Sequence, residues 1–266
     1  MTRIIAAVLA VALVLPAQAA DRRRMRAVNI SATSLFTVLS AAAQGKVKSR
    51  RDAVRLVLAG LVAGYGFSEA KERAGRGDVA TGWLIANAAS SLVENTASGN
   101  HPLSHIGYTV GPLRLRIATP ADREHASRVD LDVSVVESFF LAQAIRDADD
   151  VQIRDGMLSF ERNDPVVEEH VFVGYTWGIF PAVVKGTGPE IWNHEAVHAI
   201  QSQQLDSVEA PLYAFQEEPR FFRLRYLKAG FIHTTSNVAS EQRQYHERWT
   251  EIEAYRLAQD VAPPPP

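Results

Sequence analysis

The chain has no cysteine among its 266 residues. That excludes disulfide staples, thiolate metal ligands and cysteine nucleophiles together. Any metal must be held by histidine and carboxylate, and stability must come from packing or from that metal. An excess of one charge is missing too. Lys and Arg number 28 against 30 Asp and Glu, a net charge of −2 with no long basic run. Nucleic acid is therefore not expected as a partner. The opening apolar run, residues 4–15, is too short for a membrane span. No internal repeat breaks the chain into like units.

What is present begins with "MTRIIAAVLAVALVLPAQAAD". Arg3 precedes the apolar run, Pro16 ends it, and Ala17-Gln18-Ala19 forms an A-x-A cleavage pattern, so residues 1–19 are expected to be a signal peptide. The chain is accordingly expected to be exported to the periplasm or envelope, or secreted. The basic stretch "DRRRMR" follows, a solvated start or a contact with anionic lipid. Residues 20–104 are expected to form a helical region, rich in Ala and Leu at helical spacing and closed by Gly99 and Pro102. Within it, residues 53–67 are apolar but short and interrupted by Arg55, which fits a buried core helix.

The texture then changes. "IGYTVGPLRLRIATP" and "RVDLDVSVV" alternate as strands, "ESFFLAQAIRDA" is helical, and "VFVGYTWGIF" is rich in β-branched and aromatic residues. The last of these can serve as an edge strand or a core strand. Gly186 to Pro189 break the chain, with Thr187 or Gly188 as N-cap and Pro189 at the first helical position. A helix is predicted from there to about Ser207, then two more over residues 212–228 and 240–259. "APPPP", including residues 263–266, is a frayed tail. Helices, a small and mostly antiparallel sheet, then helices predict an α+β fold.

The first of these three helices carries "HEAVHAIQ". Side chains four apart lie on one helix face, so His194 and His198 can aim their imidazoles at one metal ion. Gln201 falls on that face as well, placed to support a ligand. Glu195 lies about 60° round from His198, outside the ligand set but beside a water on the metal, where a general base belongs. The bland alternative is an amphipathic helix whose polar stripe happens to hold two of the chain's eight histidines. His101, His105, His125 and His170 sit near turns or strand ends and read as surface residues. The metzincin pattern is excluded, because its Gly and third His would fall on Ile200 and Gln204.

H-E-x-x-H-x-x-Q followed by E-x-E-A ("EIEA", residues 251–254) resembles the gluzincin clan of zinc metallopeptidases, including exported bacterial members. The resemblance covers about residues 174–259 and implies a zincin-like domain over residues 105–262. It implies one Zn2+ per chain on His194, His198 and Glu253, with Glu195 as base. Glu251 is not expected as a ligand, since two residues away on a helix faces elsewhere. Tyr255 and Leu257 stand where related enzymes place an Asp. Tyr245, two turns before Glu253, is the first choice for stabilising an oxyanion, ahead of Tyr255, His233 and His246.

The function expected is a zinc-dependent hydrolase of the cell envelope, a peptidase acting on peptides or envelope proteins. The metal would acidify a water and Glu195 would take its proton. The alternative is a non-catalytic envelope module in which the zinc ties two helices together. A third class is peripheral contact with a membrane through the N-terminal helices.

Overall fold

The computed structural model describes residues 22–122, 128–167, 171–209, 222–225 and 249–258. The α+β expectation holds, with helices α1 (Arg22–Ala43), α2 (Arg50–Gly75) and α3 (Val79–Ala97) leading into strands. Ser49 opens α2 by accepting from the backbone of Asp52, whose carboxylate takes the Ser49 hydroxyl in return. Such a reciprocal cap satisfies donors that a helix end leaves unpaired. Small residues then let the three helices close on one another. A Cβ on Gly60 would lie 2.4 Å from Ser34 Cα, and one on Gly82 2.6 Å from the carbonyl oxygen of Ala70.

Strands β1 (His105–Val110), β2 (Leu113–Ala118) and β3 (Val129–Ser134) form an antiparallel meander. Helix α4 (Val135–Asp147) separates it from a second sheet. That sheet is built from β4 (Asp150–Arg154), β5 (Met157–Arg162), β8 (Gly174–Trp177) and β9 (Phe180–Val184), in the order β4-β5-β9-β8. Its first hairpin turns on Asp155 and Gly156, both at positive φ, as the favoured two-residue hairpin turn requires. A short antiparallel pair, β6 (Val166–Val167) and β7 (Val171–Phe172), lies between. Helix α5 (Pro189–Glu209), strand β10 (Phe222–Arg225) and helix α6 (Trp249–Leu257) complete the order.

Two expectations need correcting here. The predicted helix over residues 212–228 is a strand at residues 222–225, paired in parallel with β3 and with Arg223 in register with Asp132. "FRLR" alternates with period two, and an available sheet edge decided in favour of that period. The remainder of that predicted helix lies outside the described residues. Helix α2 is also not a fully buried core helix. Leu56, Ala63 and Phe67 are buried, while Val54, Leu58, Val62 and Tyr65 on the other side are exposed.

The core joins the two halves of the chain. Phe67 and Trp83 of the N-terminal helices share one buried cluster with Phe160 and Phe180 of the second sheet and with Trp192, Val197 and Ile200 of α5. Helix α5 is thus enclosed on all sides, and even its polar residues Gln201, Gln203 and Gln204 are buried. A solvated polar stripe is not what the two histidines sit on.

Candidate metal centre

Helix α5 begins where expected, with Pro189 at its first position and the Gly188 carbonyl accepting from the Ile191 backbone at 3.2 Å. The Thr187 hydroxyl turns back instead, onto the Val184 carbonyl. Two turns on, His194 and His198 point their Nε2 atoms at each other across 3.0 Å. The third group is Glu251 of α6, not Glu253. Its Oε1 lies 3.3 Å from His198 Nε2 and its Oε2 3.4 Å from His194 Nε2. Zinc-like tetrahedral coordination at about 2.05 Å would place donor atoms about 3.3 Å apart. The two histidine–Glu251 separations, one to each carboxylate oxygen, lie near that edge, the 3.0 Å between the imidazoles is somewhat shorter, and the His194, His198 and Glu251 cluster could hold a metal ion.

The chemistry of the donors agrees. Oε2 of Glu251 is buried without a hydrogen bond among the described residues. Two imidazole nitrogens and a carboxylate turned on one point want a cation between them. In the metal-free chain a proton fills part of that role. Burial works against charge on His198, but Glu251 beside it, with Glu195 and Gln201, raises its pKa to about 9. Burial would likewise raise the Glu251 carboxyl, yet the charge of His198 holds it well below the usual carboxylate range. A bound divalent cation would take the proton's place.

Gln201 lies against His198. Its Oε1 accepts from His198 Nδ1 at 2.8 Å, which would leave Nε2 as the ligand atom once a metal displaces its proton. Its Nε2 donates to Glu253 Oε2 at 2.8 Å and to the Thr250 carbonyl at 3.1 Å. Glu253 is therefore one step removed from the metal cluster. It is held by Lys71 Nζ at 2.8 Å and by Asn29 Nδ2 at 2.5 Å, both from the N-terminal helices. Residues 251 and 253 lie about 200° apart on a helix, so only one of them can face the histidines. The buried cation at Lys71 claims the other. A lysine within the apolar helix "VLAGLVAGYGFSEAKER" was the one signal that could have shown this, since a buried charge demands a partner.

Glu195 stands beside the cluster and outside it. Thr176 of β8 donates to its Oε2 at 2.6 Å, and Gly174 of the same strand packs onto it. Burial lifts its carboxyl above the ordinary carboxylate range, against the pull of His198, His194 and the Thr176 hydrogen bond. A Cβ on Gly174 would lie 2.7 Å from Ile191 Cγ2 and 2.9 Å from Glu195 Oε1. The carboxylate is the more yielding of the two, so it would swing away. Gly174→Ala should cut any hydrolytic rate at least about tenfold by misplacing the base, with metal content unchanged by elemental analysis. Equal rates would show that Glu195 needs no such seat.

Tyr255, one turn beyond Glu251, lays its ring 4.5 Å from that of His194. Burial, with Glu251 and Glu195 nearby, pushes its hydroxyl up to about 12. It stays a hydrogen-bond donor at neutral pH. Tyr245, His233 and His246 lie outside the described residues, as do His125 and His170. His105, read as a surface residue, is instead largely buried with its Nε2 3.5 Å from Glu94. It lines the Arg114–Glu94 pair beneath the meander, where burial lowers its pKa. Strand β8 is an edge of its sheet, paired with β9. No family model, no curated protein and no solved structure matches the chain, so the meaning of this site rests on its own residues.

Proposed function

We propose that the chain is a zinc-dependent hydrolase, a gluzincin-like peptidase of the cell envelope acting on peptides or envelope proteins. The observation that carries this is the seat of Glu195. It is buried beside the ligand cluster, fixed by Thr176 and Gly174, and contributes no ligand atom. A site that only binds metal has no use for such a carboxylate.

His194, His198 and Glu251 would hold one zinc ion, which supplies a Lewis acid and an acidified water when bound. Three protein ligands leave a position open, the pattern of catalytic sites. The chain's own residues account for the proton. Glu195 accepts it on Oε1, the oxygen that Thr176 leaves free, as the water oxygen bonds to the scissile carbonyl carbon. It then delivers the proton to the departing nitrogen as the C–N bond breaks. A raised proton affinity suits a group that must hold a proton between two steps. The Tyr255 hydroxyl would donate to the carbonyl oxygen as negative charge gathers there, which its ring contact with His194 supports.

A second reading keeps the zinc and drops the chemistry, the ion tying α5 to α6 in place of a disulfide. The depth of the site favours it, since His194, Glu195 and Glu251 are each at most 6% exposed. Metal analysis tests the ground common to both. Wild type should carry about one zinc per chain, lost in His194→Ala, His198→Ala and Glu251→Ala, and chelation should lower the melting temperature. Equal metal content in all four proteins would end both readings. Chelator-sensitive peptide cleavage by the wild type separates them.

A further inference from the structure

Six apolar side chains of α2 face solvent in one stripe: Val54, Val57, Leu58, Leu61, Val62 and Tyr65. The spacing of three and four residues puts them on one side of the helix. We propose that this face docks on an anionic lipid bilayer. This surface lies apart from the metal centre, and the proposal does not depend on what that centre does.

Charge argues for the lipid. Directly before the stripe, Lys46, Lys48, Arg50 and Arg51 are all exposed, and the only acid among residues 46–52 is Asp52. Asp52 is engaged in the helix cap, so this end of the face carries a local excess of three positive charges (4 − 1). Each Lys or Arg near an anionic surface adds to membrane attraction. At the other end the Arg26 guanidinium lies 4.3 Å over the Tyr65 ring. An aromatic ring and an arginine together suit the headgroup level, where one side is apolar and the other wet. The acids there, Glu69 and Glu72, are paired with Arg26, Arg73 and Arg76.

Area argues against a second copy. From Val54 to Tyr65 the stripe is about 17 Å long and about 10 Å wide, one helix across. That footprint of about 170 Å² is far below the ~800 Å² per partner of a stable interface. A bilayer needs no shaped partner surface, and an apolar helix face can sink into the headgroup boundary. Helix α2 is also long and apolar enough to cross a membrane by length and composition. Its other side forbids that here. Phe67 and Lys71 are fully buried, and Gly64 packs against the Ile30 backbone. The helix lies along the bilayer, not across it.

Co-sedimentation of the full chain with vesicles tests this. Vesicles of phosphatidylcholine alone are compared with vesicles of phosphatidylcholine and phosphatidylglycerol, using wild type, Leu58→Asp/Val62→Asp and Lys48→Glu/Arg51→Glu. Wild type should pellet with the anionic vesicles only, and less so at high salt. The Lys48→Glu/Arg51→Glu pair should weaken binding at least about tenfold, and the Asp pair should abolish it, with melting temperatures unchanged. Wild type that stays in solution, or an Asp pair that binds as tightly, overturns the proposal. So does an Asp pair that melts lower, which means the chain's own segments cover the face. Loss of a dimer in that variant overturns it as well, in favour of a second copy.

Discussion

Glu195→Gln is expected to keep its zinc and its fold and to lose at least about a hundredfold in hydrolytic rate. Glutamine has the same size and can still accept from Thr176, so the seat made by β8 remains filled. What it lacks is a basic oxygen for the proton. The ligand atoms of His194, His198 and Glu251 are untouched, so metal content should match the wild type. The comparison is made on a peptide or envelope protein that the wild type cleaves in a chelator-sensitive manner. If that cleavage survives in Glu195→Gln, the proton route proposed here is wrong. If no substrate is cleaved by a protein carrying stoichiometric zinc, the ion is a tie between helices.

The largest effect on stability is expected at Lys71. Its side chain is 1% exposed, and its Nζ donates to both Glu253 oxygens and to Gln204 Oε1 at 3.1 Å. Lys71→Met removes the cation and leaves the carboxylate buried with, among the described residues, the amides of Asn29 and Gln201. Breaking a buried pair in this way costs about 3–5 kcal/mol, or roughly 10 °C in melting temperature for a chain of this size. Removing both charges should cost far less, so Lys71→Met with Glu253→Leu should recover much of the loss. Gln201 also loses a fixed neighbour and with it the hold on His198, so zinc affinity should fall about tenfold or more. A single variant that melts within a degree of the wild type would show that the pair is not what closes the two halves together.

These two residues mark what could be read in the sequence. The motif helix was legible because its signals are local: a Gly-Pro start, histidines one turn apart, a glutamine on the same face. Glu195 and Gln201 stand where helical geometry put them. The third member of the cluster was not legible in the same way. Choosing between Glu251 and Glu253 depends on how α6 is rotated about its axis, and no residue on α6 sets that. Lys71, nearly two hundred positions earlier, does so by drawing Glu253 to itself. The strand at residues 222–225 has a like cause, since its short alternation is decided by β3, a distant partner. The exposed stripe on α2 was hidden for the opposite reason. Apolar spacing predicts a face, but not whether the fold covers it.

The bond between Asn29 and Glu253 spans 224 positions. At a synthesis rate of roughly 5–20 residues per second, the second group follows the first by about 10–45 s. For the last part of that interval, the 53 positions from His198 to Glu251 or about 3–11 s, a growing chain holds both histidines and Glu195 with no Glu251 beside them, and Lys71 has no Glu253 to receive it. A chain interrupted before α6 therefore lacks the carboxylate of the cluster, whatever it has already folded. The order of synthesis is thus written into the candidate metal cluster, which closes only after the residues of α6 have been added.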